Sequence, residues 1–211
     1  MRVSRHSSIH PHTPPRVDIR PARKADLLHS RGLTARDATV IHYLARHRVL
    51  TAVQLARLVF GSYSHARSRL AVLHARGVLA RFRREVWPGS QPWRYTLGPL
   101  GAVVHAAATG AALPRPATIT DTVLRLAHST HTEHRLGVND FFTTLAGHAQ
   151  HHPHCALREW WPEHEVGDTC AGIVRPDAYG EYTDHDRTLA FFYEYDTGTE
   201  TLDTLVAKIS K

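Results

Sequence analysis

This 211-residue chain has few lysines, few cysteines and no long apolar run. Lys24, Lys208 and Lys211 are the only lysines among its 26 basic residues, so arginine carries nearly all of the positive charge. The two cysteines, Cys155 and Cys170, cannot build a disulfide framework and lack the CxxC spacing of a strong zinc site. No stretch approaches the ~18 apolar residues of a membrane helix, and the N-terminus has no apolar signal core. We therefore expect a cytoplasmic protein without a membrane partner.

The charge is divided unevenly along the chain. Residues 1–110 contain 18 Lys and Arg against 4 Asp and Glu, whereas residues 111–211 contain 8 against 15. The basic half is typical of a surface that binds a polyanion, and double-stranded DNA is the first candidate. The carboxylates of the acidic half would repel phosphate unless they hold a metal ion, so we expect the two halves to do different things.

The basic half contains two kinds of sequence. Residues 1–30 are rich in Arg, His, Pro and Ser and too polar to build a core, which predicts a disordered basic arm. In residues 31–110, capping signals at Thr34 and Thr51 and helical apolar spacings indicate three short helices, the last ending at Gly77. Two extended runs around a Pro-Gly turn then indicate a hairpin. Three helices followed by a hairpin is the order of a winged helix-turn-helix domain.

The third helix of such a domain enters the major groove and presents its N-terminal residues to the bases. Arginine pairs well with guanine edges, and arginines on the hairpin suit phosphates or the minor groove. The candidate DNA-binding residues are Ser64, His65, Arg67, Ser68 and Arg69 on the helix and Arg81, Arg83, Arg84 and Arg94 on the hairpin. Trp87 and Trp93 lie between the hairpin arginines, and we expect them to pack against each other as a cross-strand pair.

The acidic half begins after a linker. Residues 111–120 contain two prolines and no periodicity, which is typical of a linker, and residues 121–211 form the second domain. A long helix is predicted from about residue 120 to 149, with His134 on its apolar stripe either as a core histidine or as part of an active site. Three extended runs and a helix from Leu202 follow, and the sequence ends inside that helix, as in a truncated domain. This order predicts an α/β half.

Three carboxylates are expected on neighbouring strands of this half. Asp177 lies on the second extended run, and Glu194 and Asp196 lie on the third. Residues two apart share one face of a strand, so the three converge if the strands pair with Asp177 on that face. Like charges this close repel one another unless a cation lies among them, and Mg²⁺ or Mn²⁺ is the cofactor that fits oxygen ligands of this kind. The alternative is a solvated polar face of a strand.

The second half contains the motifs His134-Arg-Leu-Gly-Val-Asn-Asp140, Arg175-Pro-Asp-Ala-Tyr179, Phe191-Phe-Tyr-Glu-Tyr-Asp-Thr-Gly-Thr-Glu200 and Leu205-Val-Ala-Lys-Ile209. Together with the winged helix, these motifs resemble the actinobacterial replication-relaxation proteins from roughly Leu33 to the end. The resemblance implies a protein of plasmids and integrative elements that is associated with DNA replication or relaxation.

The second half also resembles the PD-(D/E)xK nuclease core, in which a Pro-Asp strand and an acid-x-Lys strand bind Mg²⁺ and activate water. The resemblance implies that Asp177 is the first acid and Glu194 the second. Asp196 stands where that core has lysine, and Lys208 is a candidate for the missing ammonium group. Together with His134, these four residues form the candidate catalytic set.

The expected fold class is therefore α/β, of the α+β kind: a winged helix-turn-helix domain followed by a restriction-endonuclease-like α-β-β-β-α domain. The leading interpretation is a DNA-binding protein of a plasmid or integrative element that acts in DNA replication, relaxation or transfer. One alternative is a Mg²⁺-dependent nuclease or nickase, and another is a winged-helix transcriptional regulator. A homodimer is left open.

Overall fold

The computed structural model of the chain describes residues 14–21, 32–86, 88–170 and 175–196. The fold is mixed α/β, and its two sheets are both antiparallel. Contacts divide the chain into two compact units, Met1–Thr132 and Glu133–Lys211. Among the helices of the described residues, none is long and apolar enough to cross a membrane.

The helices of the first unit begin and end at recognisable sequence signals. They are α1 (Ala35–His47), α2 (Ala52–Leu55, continued by a π-helical turn over Ala56–Phe60), α3 (Tyr63–Ala75), α4 (Pro99–Thr109) and α5 (Pro116–His128). Thr34 and Asp37 form a reciprocal capping box on α1, and Thr51 and Gln54 form another on α2, which confirms both predicted helix starts. Gly61 takes a left-handed conformation (φ 64°) after the π-helical turn, so the chain can change direction into α3.

A four-stranded sheet completes the first unit. Its strands are β1 (Arg16–Asp18), β2 (Leu50–Thr51), β3 (Leu79–Arg83) and β4 (Arg94–Leu97), in the spatial order β1-β3-β4-β2. The β3–β4 hairpin is the predicted one. The structure corrects the prediction of a disordered arm for β1, because Val17 pairs with Phe82 at the edge of the sheet. The remainder of the arm, residues 1–13 and 22–30, lies outside the described residues.

The apolar residues of α1 and α3 and one face of the sheet form the core of the first unit. Val40, Leu44, Leu70, Leu73 and Phe82 are all fully buried.

The backbone of the segment after β1 packs closely against Gly77, just after the end of α3. Gly77 has a φ of +71°, and a Cβ at this position would lie 3.0 Å from the carbonyl oxygen of Arg20. Only glycine suits both conditions, so Gly77 helps to hold the segment after β1 in place.

The second unit consists of one long helix against a three-stranded sheet. Its elements are α6 (Thr132–His151, which begins at the unit boundary), β5 (Cys155–Pro162), α7 (Glu163–Thr169), β6 (Ala178–Asp184) and β7 (Arg187–Tyr193). The strands follow each other as an antiparallel meander, β5-β6-β7. Phe142 of α6 stacks on Trp160 and Phe191, and the Gly180 between those two strand residues leaves room for its ring.

The structure corrects three expectations for the second half. The single helix predicted from about residue 120 to 149 is two helices, α5 and α6. The break occurs at Ser129, whose backbone is extended and whose hydroxyl accepts a hydrogen bond from the amide of His131. The first extended run, predicted from Ala156 to Val166, ends at Pro162 and is followed by the short helix α7. Pro116–Thr120, which was expected in the linker, forms the first turn of α5. The helix predicted from Leu202 lies outside the described residues.

Candidate functional site

Four of the predicted DNA-binding residues lie on the solvent-exposed face of α3. Ser64, His65, Arg67 and Ser68 are all exposed. Ala66 and Leu70 of the same helix are fully buried. Because the apolar residues face the core and the polar ones do not, the N-terminal half of α3 presents a polar and basic surface to solvent.

The fifth predicted residue of this helix, Arg69, is turned back toward α1. Its Nε donates to Oδ1 of Asp37 over 2.8 Å and its Nη2 to Oδ2 over 2.5 Å, and Asp37 is fully buried. Burial raises the pKa of Asp37, but the hydrogen bonds from Arg69 and Thr34 and the charge of Arg69 outweigh it, and the pKa lies below its usual value. This geometry makes Arg69 a link between α1 and α3, with its guanidinium held by Asp37, and the predicted DNA contact of Arg69 stays a prediction.

The hairpin arginines gather around Trp93. The guanidinium carbons of Arg81 and Arg83 lie 4.3 and 4.5 Å from the centre of its ring, and that of Arg16 lies 5.8 Å away. Strand pairing accounts for part of this arrangement, since Arg16 of β1 lies directly opposite Arg83 of β3. Cation–π attraction restrains the positions of these guanidinium groups. Trp87, the expected packing partner of Trp93, lies outside the described residues.

The other two hairpin arginines are less accessible. Arg84 is half-buried, and Arg94 is 4% exposed. The guanidinium of Arg94 donates to Oε1 of Gln91 over 2.5 Å. Arg94 lies on β4, which is paired on both sides by β3 and β2, and this position explains its burial. The structure thus corrects the expectation that Arg94 lies on the surface.

Tyr95 lies on the same hairpin as Trp93, around which Arg16, Arg81 and Arg83 form what we call the arginine cluster. It pairs with Arg81 across β4 and β3, and it is 3% exposed. Burial raises the pKa of its hydroxyl, Arg81 lowers it, and Tyr63 and Arg67 act on it more weakly. Two of these groups belong to the first turns of α3 and one to β3. Contacts also join α3 to β3, the strand that carries Arg81 and Arg83, so the helix and the arginine cluster lie on adjoining elements of the first unit.

In the second unit, Asp177 joins α6 to the end of the sheet. The residue immediately precedes β6, and its Oδ1 lies 2.8 Å from Nε2 of His134. Its Oδ2 accepts a hydrogen bond from the backbone N–H of Tyr195 over 2.8 Å. The Tyr195 ring lies edge-on to His134 and fills the space above Gly137, where a Cβ would collide with it. A carboxylate–histidine pair of this kind can orient the imidazole and leave Nδ1 for a second partner.

Glu194 and Asp196 do not join this pair. Both are exposed and follow the end of β7, where they alternate with Tyr193 and Tyr195, the residues that contact α6. Over the residues that the structure describes, no group of three or more His, Cys, Asp or Glu side chains is placed to hold a metal ion. As placed, these carboxylates do not assemble the predicted Mg²⁺ or Mn²⁺ site, which stays a prediction. Lys208 lies outside the described residues.

Sequence reasoning missed several residues that shape these sites. Arg16 and Asp18 belong to the β1 segment, which composition alone assigned to a disordered arm, although the alternation of Arg, Val and Asp is a short strand signal. His74 is 3% exposed on α3 and contacts Asp18, with no sequence signal for that contact. Tyr195 was one of several tyrosines that no pattern distinguished.

The family model described as replication-relaxation matches residues 41–211, which is more than half of the chain. The chain belongs to the replication-relaxation family. Its membership indicates a role in replication or relaxation. The matched range covers α1 from Ile41 onward and all later elements, so β1 precedes it. No curated protein and no solved structure matches the chain significantly.

Proposed function

We propose that this member of the replication-relaxation family binds double-stranded DNA through its first unit, which acts as a winged helix-turn-helix module. One observation carries the proposal: α3, with its exposed polar and basic residues, packs against β3, the strand that carries two of the arginines around Trp93. A helix beside a basic hairpin can follow a major groove and the phosphates that border it. The excess of Lys and Arg in residues 1–110 supplies the long-range attraction.

The two parts of this surface have different roles in the proposal. Arg67 is the exposed arginine in the first half of α3, so it is the candidate for pairing with a guanine edge. Arg83 is half-buried beside Trp93, and a restrained guanidinium of this kind suits contacts with phosphates, which carry no sequence information. A plasmid or integrative element is the proposed source of the DNA, and a homodimer on it is the proposed assembly.

Binding of fluorescent duplexes of about 20 base pairs, followed by anisotropy, tests this function. The wild type should bind with an affinity that falls steeply as salt rises from about 50 to 200 mM. Arg83→Ala should weaken all sequences alike and reduce the salt slope by about 0.9. Arg125→Ala, which removes the same charge from α5, is the matched control and should change binding less. A wild type that does not bind any duplex at about 50 mM salt contradicts the proposed function.

DNA cleavage by the second unit is a second proposal. It is supported by the His134–Asp177 pair, in which Asp177 follows a proline directly before a strand. In this proposal, the pair holds or moves a proton at Nδ1 of His134, and Glu194 and Asp196 are further candidate acids. A transcriptional regulator that does not cleave DNA would use the first unit alone. An assay for divalent-dependent nicking of supercoiled DNA distinguishes such a regulator from a nuclease.

A further inference from the structure

Asp18 lies among two guanidinium groups and an imidazole that come from three different parts of the first unit. Nη2 and Nε of Arg81 on β3 donate to its Oδ2 over 3.0 and 3.3 Å. Nε of Arg20 lies 3.3 Å from Oδ1, and Nε2 of His74 on α3 lies 3.4 Å from Oδ1. The carboxylate thus receives the kind of multidentate, charge-assisted contact that proteins give to phosphate oxygens.

The surroundings of Asp18 are open on one side. A surface cleft of about 560 Å³ is lined by Arg20, Pro21, Ala71, His74, Ala75 and Arg81. The side chain of Arg20 is 57% exposed and that of Arg81 is 23% exposed, so both can be reached from solvent. The wall contributed by α3 consists of two alanines and a histidine and carries no acidic group. An anion in this cleft would meet positive charge from β3 and from the segment after β1.

Arg81 connects this cleft to the proposed DNA surface. Its guanidinium carbon lies 4.3 Å from the centre of the Trp93 ring while its nitrogens bind Asp18. It lies on β3, the strand against which α3 packs, directly opposite Tyr95 of β4. The same guanidinium therefore belongs to the arginine cluster and to the Asp18 site, and the carboxylate cancels much of its charge.

We propose that Arg81, Arg20 and His74 form a phosphate subsite of the DNA surface, and that Asp18 fills this subsite from within the chain in the absence of DNA. The inference rests on the proposed DNA binding. A backbone phosphodiester takes the place of the carboxylate, since both present oxygen acceptors with a negative charge. Asp18 then acts as an intramolecular competitor that weakens binding to every sequence alike, because phosphates carry no sequence information.

The test compares Asp18→Asn with Glu85→Gln in the full chain. Glu85 is an exposed acid just beyond β3, so its variant makes the same charge change next to the hairpin without touching the subsite. The probe is a fluorescent random-sequence duplex of about 20 base pairs. Asp18→Asn should bind about 3- to 10-fold more tightly than wild type at about 50 mM salt, with a salt slope steeper by about 0.9, and Glu85→Gln should gain less. Asp18→Glu keeps a carboxylate and should stay near wild type.

Arg81→Gln gives the second part of the test. The gain of Asp18→Asn should disappear in the Asp18→Asn/Arg81→Gln double variant, because the freed guanidinium is then missing. In the wild-type background, Arg81→Gln should reduce affinity less than Arg83→Gln does, a comparison that holds even if Asp18→Asn does not fold.

Two results overturn the subsite while leaving the proposed function intact. One is a gain in Asp18→Asn no larger than that in Glu85→Gln, and the other is a gain that survives without Arg81. A wild type that does not bind the duplex overturns the proposed function together with the subsite. The affinity of the wild type for the duplex therefore tests DNA binding. The ratio of the affinities of Asp18→Asn and Glu85→Gln tests the subsite.

Discussion

Arg69 of α3 holds the buried carboxylate of Asp37 on α1 through two hydrogen bonds, from its Nε and its Nη2. The same carboxylate accepts hydrogen bonds from the backbone N–H and the hydroxyl of Thr34, so it also caps α1. One aspartate therefore fixes the start of α1 and the position of α3 against it. In the proposed module, this contact sets the orientation of the helix that meets DNA.

Arg69→Ala and Arg67→Ala should separate stability from DNA binding. Arg69→Ala leaves the buried Asp37 with only the bonds from Thr34, so we expect a loss of about 2–4 kcal/mol in the free energy of unfolding. Arg67 is exposed, and Arg67→Ala should change that free energy by no more than about 0.5 kcal/mol while weakening a preferred DNA site by about 1–3 kcal/mol. Urea denaturation and anisotropy measure the two effects. Equal stability of the two variants would contradict the structural role of Arg69.

Mild acid should destabilise the first unit through His74. Burial and the charge of Arg81 lower the pKa of this histidine, against the opposing effect of Asp18 and with a smaller contribution from Arg20. A histidine with a lowered folded pKa binds protons more weakly than it does in the unfolded chain. The stability that His74 contributes is therefore intact above its ordinary pKa of 6.5 and is lost progressively as the pH falls below that value. The pKa of Asp18 is also lowered, but that carboxylate affects stability only near and below its ordinary pKa of 3.8.

Melting temperatures between about pH 7.5 and pH 5 measure this loss. His74→Gln should reduce the dependence on pH, because the titrating group is gone while a donor to the carbonyl of Asp18 remains. His65→Gln, on the exposed side of α3, is the matched control and should leave the pH dependence as in the wild type. A pH profile that is the same in all three proteins would rule out His74 as its cause.

Local signals in the sequence predicted much of the first unit and less of the second. The capping boxes at Thr34 and Thr51 act within four residues, so the helix starts they mark could be read directly. The structural role of Arg69 could not be predicted, because its partner Asp37 is 32 positions away in the sequence. No local signal distinguishes Arg69 from Arg67. Composition could not distinguish the short strand β1 from a tail, since three residues bury too little to leave a composition signal, and only the brief alternation of Arg, Val and Asp indicated a strand.

The candidate acids of the second unit illustrate the same limit. Asp177 and Glu194 were predicted to lie on extended runs, but Asp177 lies one residue before the start of β6 and Glu194 one residue after the end of β7. At strand ends the alternation of side chains no longer decides which groups meet. The contacts of Asp177 with His134 and with the backbone of Tyr195 depend on how α6 packs against the sheet, which periodicity does not encode.

Gly180 should be required for the core of the second unit. A Cβ there would lie 2.5 Å from the Phe142 ring and 2.8 Å from the Phe191 ring. Both rings are packed against further aromatic side chains, so Gly180→Ala should destabilise this unit by about 1–3 kcal/mol through overpacking. Gly167→Ala in α7 is the matched control, because nothing lies within 4 Å of its Cβ position, and it should be neutral or slightly stabilising. Equal denaturation curves for the two variants would contradict this packing.

Asp177 and Glu194 should respond differently to removal of their charge. Asp177 accepts bonds from His134 and from the amide of Tyr195, so Asp177→Asn should lower the stability of the metal-free protein by about 1–3 kcal/mol. Glu194→Gln and Asp196→Asn change exposed side chains and should be nearly neutral.

If the second unit binds a divalent cation, millimolar Mn²⁺ should raise the melting temperature of the wild type, because ligands that bind only the folded state stabilise it. Glu194→Gln should abolish this rise together with any nicking of supercoiled DNA, while duplex binding persists. With no shift and no nicking in the wild type, the cleavage proposal fails, and Asp177 keeps only its role in joining α6 to the sheet.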